Sequence, residues 1–187
     1  GIPEAIPVIV ADDDDSRRLH RALVELTVAT PLGDLLDVGS GQGRLLKLLA
    51  SRAHRAVGVD IDSDARQLAR AELLLAGVEN VSLRKGSMYE LPFADREFDT
   101  VILDDVLVDA DEPILALCEA RRLLKPGGRL LLLAAVDDGH ANPLELKFAD
   151  WCQATDLRLA VPRRIPRLEP RWLLAVATLA DADSAAA

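Results

Sequence analysis

The chain is poor in cysteine, in aromatic side chains and in long apolar runs, and each shortage excludes a class of protein. Only two of its 187 residues are cysteines, and Cys118 and Cys152 lie far apart without a pairing pattern, which argues against a disulfide framework or a four-ligand zinc site. The longest apolar run, residues 130–136, is far shorter than the roughly 20 residues that cross a bilayer. With no signal-peptide pattern at the start, we expect a soluble, cytoplasmic protein.

Positive charge is also in short supply. The 31 acidic and 22 basic side chains give a formal net charge of -9, and a field of that sign repels a nucleic-acid backbone. General nucleic-acid binding is therefore not expected. Apolar residues are plentiful, at 50% of the chain, which is enough for one domain that buries roughly 70% of its unfolded surface. We expect a flexible acidic segment over residues 1–15, a single domain over 16–180 and a disordered tail over 181–187.

Short runs of Val, Leu and Ile alternate with longer segments whose apolar residues recur every three or four positions. This alternation of strand and helix patterns predicts an α/β fold, a doubly wound and mainly parallel sheet with helices on both faces, which binds ligands beyond the carboxyl ends of its strands. Asp62 is expected to cap the helix that follows it. The predicted strands cover residues 34–38, 55–60, 81–85, 98–104, 129–136, 157–161 and 172–178, and the predicted helices cover 16–29, a segment after the glycine loop 39–43, 63–76, 111–124 and 143–154.

The most informative stretch is "LLDVGSGQGRLLKLLA", in which a buried strand passes through Gly39, Gly41 and Gly43 directly into a helix. Glycine permits a tight turn and close contact with a ligand, while the helix start presents unpaired N–H groups. The dinucleotide pattern G-x-G-x-x-G would need glycine in place of Arg44, so the fit to NAD is poor. Asp60 follows about 20 residues later, as suits a carboxylate that accepts hydrogen bonds from ribose. Together these residues predict an adenosine-type ligand.

Four segments in unbroken order over residues 32–136 carry a resemblance to a known family: "LLDVGSGQGRL", "VGVDID", "LRKGSMYELPFADREFDTVILDDVL" and "LLKPGGRLLLL". They resemble the class I S-adenosylmethionine-dependent methyltransferases, in particular the small-molecule group that includes the ubiquinone and menaquinone biosynthesis enzymes. The resemblance implies a seven-stranded sheet with an antiparallel last strand. It also implies S-adenosylmethionine as cofactor, S-adenosylhomocysteine as product and methyl transfer to a small-molecule acceptor.

The same resemblance implies a set of cofactor-binding residues. Asp37 and Gly39 would meet the methionine part, Asp60 the ribose, and Ile61 and Met88 the adenine. Gly41, Gly43, Ser87 and Asp104 complete the predicted set, with Asp104 beside the methionine end.

Two departures from the family pattern affect these expectations. Gly86-Ser87 stands where such enzymes usually have Gly-Asp, and a hydroxyl accepts a hydrogen bond from the adenine amino group more weakly than a carboxylate does. The segment after the fourth strand commonly contains histidine in these enzymes, whereas here Asp105, Val108 and Asp109 occupy those places. The segment also lacks the Asn/Asp-Pro-Pro-aromatic motif of many amino methyltransferases.

Methyl transfer from a sulfonium is an in-line displacement, so alignment of the acceptor can supply much of the rate. A general base within about 3 Å would add roughly 10²- to 10⁴-fold. Asp105 and His140 are the predicted catalytic residues, and Asp109 is a further candidate that serves equally well as a helix cap. A divalent-metal cluster is an alternative reading of Asp104, Asp105, Asp137, Asp138 and His140, although no metal is expected because no metal-binding motif is present.

Arg163, Arg164 and Arg167 stand in the loop "VPRRIPRLEPRW". If the sixth strand runs parallel to the first five, this loop lies on the cofactor side and favours an anionic acceptor, because guanidinium groups suit carboxylate and phosphate. The alternative is a solvated hairpin that offsets the local acidic field.

Other functions stay open beside small-molecule methyl transfer. A non-catalytic module that binds S-adenosylmethionine or S-adenosylhomocysteine within a larger regulator or complex would explain Ser87 and the missing histidines. A protein or RNA methyltransferase has support only from the arginine loop, and an NAD-linked oxidoreductase is the most distant option. The sequence does not reveal the oligomeric state.

Overall fold

A computed structural model describes residues 14–28, 30–136, 143–160, 162–165 and 171–180. Within them lie five α-helices and eight strands, with a 3-10 turn at Ala50–Arg52. None of these helices combines the length and apolar character needed to cross a membrane. In chain order the elements are α1 (Asp14–Val28), β1 (Asp34–Val38), α2 (Arg44–Leu49), β2 (Arg55–Val59), α3 (Ser63–Leu75), β3 (Val81–Arg84), β4 (Phe98–Asp104), α4 (Pro113–Arg122), β5 (Leu124–Val136), α5 (Leu144–Ala154), β6 (Leu157–Leu159), β7 (Arg163–Ile165) and β8 (Arg171–Leu179).

The strands form one sheet in the order β3-β2-β1-β4-β5-β8-β6, and β7 also pairs with β8. Strands β1 to β5 are parallel to one another. Strand β8 is antiparallel to β5 and also to β6, so β6 runs in the same direction as the first five strands. The predicted doubly wound, mainly parallel sheet with an antiparallel last strand is confirmed.

The edge of the sheet differs from the prediction in one respect. Residues between the last two predicted strands were expected to form a loop, but β7 lies there and pairs with β8. Strands β6 and β7 share the same edge of β8: Leu159 faces Ala177, and Arg163 faces Leu174. Between these two pairs the edge segment advances by four positions and β8 by three, a difference of one residue such as a β-bulge produces. The edge thus consists of two short strands, β6 and β7, which makes eight strands instead of seven.

The predicted helix over residues 111–124 is too long at both ends. Helix α4 ends at Arg122, and Leu124 already belongs to β5, where it pairs with Phe98. Both side chains are buried. The helical spacing alone would place Leu124 in α4. Its long-range contact with β4 places it in a strand instead.

Helices cover both faces of the sheet, as predicted. On one face Leu117 of α4 and Phe148 of α5 pack in a buried cluster with Leu103. On the other face, the cluster contains Leu23 of α1 and Leu46 of α2, together with Leu73 of α3. The carboxyl ends of the parallel strands remain at one end of this sandwich. Residues 1–13 and 181–187, which carry most of the predicted terminal segments, lie outside the described residues.

Candidate functional site

The site lies where the winding of the sheet reverses. From β1 the chain builds β2 and β3 on one side and then β4 and β5 on the other, so the connections after β1 and β4 diverge and leave a crevice at the strand ends. This crevice has a volume of about 380 Å³. Its walls include five of the nine predicted cofactor residues: Gly39, Asp60, Ile61, Ser87 and Met88.

The turn between β1 and α2 has a backbone that suits glycine. Gly39, Gly41 and Gly43 have φ angles of 73°, 54° and 83°, in the left-handed region that side chains disfavour. A Cβ on Gly39 would lie only 2.3 Å from Val106 Cγ1, whereas a Cβ on Gly41 would meet no atom within 4 Å. The Gly39 N–H donates to the Val59 carbonyl at 2.8 Å, which fixes the turn against β2. The turn is therefore rigid and leaves open space beside Gly41.

Asp60 connects the end of β2 to this turn. Its Oδ2 accepts from the Gly41 N–H at 2.9 Å, and its Oδ1 accepts from the Asp62 N–H at 2.9 Å. Each carboxylate oxygen has lone-pair capacity for another donor, so Asp60 can still accept from ribose hydroxyls. Asp62 accepts from the Asp64 N–H at 2.9 Å at the start of α3, which confirms its predicted capping role.

Two carboxyl groups, one fully and one partly buried, lie on one face of the sheet beside the turn. Asp37 in β1 is fully buried, and neither of its carboxyl oxygens has a hydrogen-bond partner among the described residues. Burial and the nearby Asp104 carboxyl raise the pKa of Asp37 well above its usual value, against a smaller opposite effect of Arg44. Burial likewise raises the pKa of Asp104 to about 6. Because Asp37 has no donor among the described residues, and the Arg44 guanidinium lies 4.0 Å from Asp104, beyond hydrogen-bond distance, a cationic ligand group would stabilise both carboxylates.

Arg44 and Trp172 are site residues that the sequence analysis missed. The Arg44 Nη2 lies 4.0 Å from Asp104 Oδ1, and its guanidinium carbon lies 4.9 Å from the centre of the Trp172 ring, a distance typical of a cation–π contact. Arg44 was noted only as a mismatch to the dinucleotide pattern. One signal could have identified Arg44: it is a basic residue directly after the glycine turn, and neighbouring strands of the sheet end at or next to an aspartate.

The side of the crevice where adenine is predicted to bind also has an unpredicted member. Tyr89 lines the crevice with Ser87 and Met88, and its hydroxyl accepts from the Glu112 N–H at 3.2 Å. Ser87 Oγ accepts from the Tyr89 N–H at 3.2 Å. Part of the acceptor capacity of Ser87 is therefore used within the protein.

Of the two predicted catalytic residues, Asp105 is the one that the structure describes. Asp105 has a φ of 56°, and its Oδ1 accepts from the Ala135 N–H at 3.0 Å, so its carboxylate links the end of β4 to β5. It does not line the crevice, and its catalytic role stays a prediction. His140 lies outside the described residues, as do Asp137 and Asp138 of the alternative metal cluster.

The two described arginines of the predicted acceptor loop lie in β7 and face opposite sides of the sheet. Arg163 pairs with Glu25 of α1 at 3.4 Å, and Arg164 pairs with Glu145 of α5, with an Nη2 to Oε2 distance of 3.0 Å. Arg167 lies outside the described residues. The predicted loop is thus partly a strand that connects helices on both faces.

Comparisons with known proteins agree with this architecture. The family described as "Methyltransferase domain" matches residues 36–132. The chain is 35% identical over 148 residues to the ubiquinone/menaquinone biosynthesis C-methyltransferase UbiE of Ectopseudomonas mendocina, which covers 77% of this chain and 57% of that protein. The first curated relatives are matched over 37–57% of their own length, so the chain spans about half of them or less.

Solved structures share the fold at low sequence identity. A SAM dependent methyltransferase from Aquifex aeolicus superposes with a TM-score of 0.74 at 17% identity, over 89% of this chain and 94% of that one. The 1,6-didemethyltoxoflavin-N1-methyltransferase of Burkholderia thailandensis, solved with S-adenosylhomocysteine, has a TM-score of 0.69 at 23% identity, over 88% and 78%. Sheet order, glycine turn and crevice are those of the class I S-adenosylmethionine-dependent methyltransferases. The chain belongs to the methyltransferase domain family.

Replacement of Asp37 by Asn should stabilise the ligand-free protein at neutral pH. Because the folded-state pKa of Asp37 is raised, its ionisation weakens the folded state as pH rises above the unfolded pKa near 4. Asp37→Asn should therefore raise stability at pH 7.5 by at least about 1 kcal/mol, or roughly 2–4 °C, and change it little at pH 4. Thermal unfolding at both pH values measures the effect.

Asp64→Asn is the matched control, because Asp64 is exposed in the first turn of α3, where a negative charge is favourable. This variant should be neutral or slightly less stable at pH 7.5. A fall in unfolding temperature for Asp37→Asn at neutral pH would mean that the Asp37 carboxylate has a stabilising partner in the ligand-free protein.

Proposed function

We propose that this chain transfers a methyl group from S-adenosylmethionine to a small-molecule acceptor. The observation that carries the proposal is the pair of carboxyl groups beside the glycine turn, the fully buried Asp37 and the partly buried Asp104. S-adenosylmethionine brings two cationic groups to such a place, its sulfonium and the ammonium of its amino-acid end. A dinucleotide would bring a pyrophosphate, which the two carboxyl groups and Asp60 would repel. Family membership supports the same choice.

The residues of the crevice fit the parts of this cofactor. Asp60 would hold the ribose, since both of its oxygens are already fixed by backbone N–H groups. Ile61, which is 67% exposed, and Met88 would cover the adenine, an apolar contact that removes both surfaces from water. Asp37 and Asp104 would face the ammonium group. When bound, the cofactor supplies a methyl group on a sulfonium that an acceptor atom can displace in line.

Rate enhancement in such a site rests chiefly on alignment of the acceptor. Backbone hydrogen bonds hold the glycine turn and Asp60 in place, and these two features would in turn fix the position of the methyl donor. The acceptor then needs only to be held opposite to the methyl group. Asp105 and His140 stay predicted bases. Burial raises the pKa of Asp105, which would make it a stronger base than an ordinary aspartate, but the Ala135 N–H already occupies one of its oxygens.

A non-catalytic binding module is the second candidate. Two observations favour it: Ser87 Oγ already accepts from the Tyr89 N–H, and Asp105 is engaged by β5. A macromolecular substrate has less support, because the chain has a net charge of -9 and would repel RNA. The cytoplasmic location stays a prediction.

Thermal unfolding with S-adenosylmethionine, S-adenosylhomocysteine and NAD tests the cofactor. A ligand at 100 times its Kd adds about 2.7 kcal/mol, which corresponds to roughly 5–11 °C for a domain of this size. The first two ligands should give such shifts and NAD should not. Asp60→Ala should remove most of the response, whereas Asp64→Ala, at an exposed position on α3, should keep it. Stabilisation by NAD alone would overturn the assignment.

Methyl transfer itself is measured with methyl-labelled S-adenosylmethionine and a fractionated cell extract. Label in the small-molecule fraction is the expected result, and Asp60→Ala should lower its rate of appearance by at least about tenfold, a loss of about 1.4 kcal/mol. Label in protein or RNA would assign a macromolecular acceptor. Binding of both nucleosides without any transfer of label would favour the non-catalytic module.

A further inference from the structure

A second cleft, of about 140 Å³, lies between α1 and β7. Three arginines and one glutamate of its described lining lie on the α1 face of the sheet, in a chain whose net charge is -9, whereas the side chain of a fourth lining arginine, Arg164, projects to the opposite face and pairs with Glu145. The charged lining residues are Arg18, Arg21, Glu25, Arg163 and Arg164. The cleft is therefore a local reversal of the overall charge.

The guanidinium groups come from two elements that face each other. Arg18 and Arg21 stand three residues apart on α1 and therefore share one side of the helix, and Arg163 extends towards them from β7. Both guanidinium Nη atoms of Arg163 lie 3.4 Å from the same oxygen of Glu25, and both side chains are 54% exposed. Ion pairs of this kind are weak. A phosphate or carboxylate, which pairs with the planar fork through two oxygens, can compete with Glu25 for Arg163.

The register of the sheet relates this cleft to the methyl-transfer site. Asp104 pairs with Leu133, Leu133 with Leu174, and Leu174 with Arg163. Side chains of residues paired in this way project to the same face. Arg163 and Asp104 thus lie on one face and at one level, three strand spacings apart, which is about 14 Å. The contact of Arg44 with Trp172 lies between them, since Trp172 pairs with Ile165 of β7.

We propose that the cleft between α1 and β7 binds an oxyanionic group of the methyl acceptor, a phosphate or a carboxylate about 14 Å from the Asp104 end of the crevice. The inference rests on the proposed function of that crevice. It narrows the acceptor to an elongated acidic molecule that passes over the ends of β5 and β8. A free inorganic anion would bind the same guanidinium groups, so the test distinguishes an anion that is part of the acceptor from a free one.

Calorimetric titration with inorganic pyrophosphate tests the anion site. Wild type should bind it saturably, and Arg21→Gln/Arg163→Gln should weaken binding by at least about tenfold because two charge-assisted contacts are lost. Arg21→Lys/Arg163→Lys should recover part of the affinity, since the charge is kept without the fork. Arg52→Gln/Arg70→Gln removes two exposed charges elsewhere and should change the affinity by no more than about twofold. Absence of saturable binding, or equal weakening by the control pair, would overturn the site.

The link to the acceptor is tested with S-adenosylhomocysteine analogues in which nitrogen replaces sulfur and carries an alkyl chain that ends in phosphonate. A chain of roughly twelve atoms should bind at least about tenfold tighter than one of about three atoms, because only the longer chain lets both groups bind at once. The Gln double variant should abolish this gain. An equal affinity for both chains would overturn the assignment to the acceptor, even if pyrophosphate binds.

S-adenosylhomocysteine itself, titrated into the same proteins, separates the two hypotheses. If it binds and pyrophosphate does not, the anion site is wrong and the cofactor assignment stands. If it fails to bind wild type, the proposed function is wrong. Retained S-adenosylhomocysteine binding by the Gln double variant shows that this variant is folded.

Discussion

The constraint on which the rest of the site depends is Asp37, a carboxyl group buried without a hydrogen-bond donor among the described residues, with the partly buried Asp104 beside it at the reversal point of the sheet. A folded protein seldom keeps such groups unless a ligand or another charge offsets them. Asp37 is held there because β1 is an interior strand of the sheet, and Asp104 because the neighbouring strand β4 is central. The turn after β1 has glycine at positions 39, 41 and 43, and the crevice lined by Gly39 and Asp60 remains open to a ligand that carries positive charge.

The sequence predicted the elements around this constraint well because their signals are local. The boundaries of β1 agree to the residue, since this short segment rich in Leu and Val lies directly between Gly33 and Gly39. The spacing from the glycine turn to Asp60 follows from one strand–helix–strand unit, and the structure joins the two through the Gly41 N–H. Such features involve neighbours in sequence, or a connection of nearly fixed length.

The features that the sequence did not predict arise from contacts between distant segments. The cation–π contact of Arg44 with Trp172 joins the second helix to the last strand, and the bond from Ala135 to Asp105 joins β5 to the end of β4. Strand β7 is rich in arginine and exists because β8 offers an edge with which to pair. It also faces α1, and this brings the arginines of two elements together on the same face of the sheet as Asp104.

The most direct test of the central claim is the proton balance of S-adenosylmethionine binding, measured calorimetrically near pH 6 in buffers of different ionisation enthalpy. A cation placed beside Asp37 and Asp104 lowers their raised pKa values, so binding should release protons to the buffer, and the release should shrink when Asp104 is replaced by Asn. Binding without net proton release, or with proton uptake, would contradict the view that these carboxyl groups receive the charged end of the cofactor.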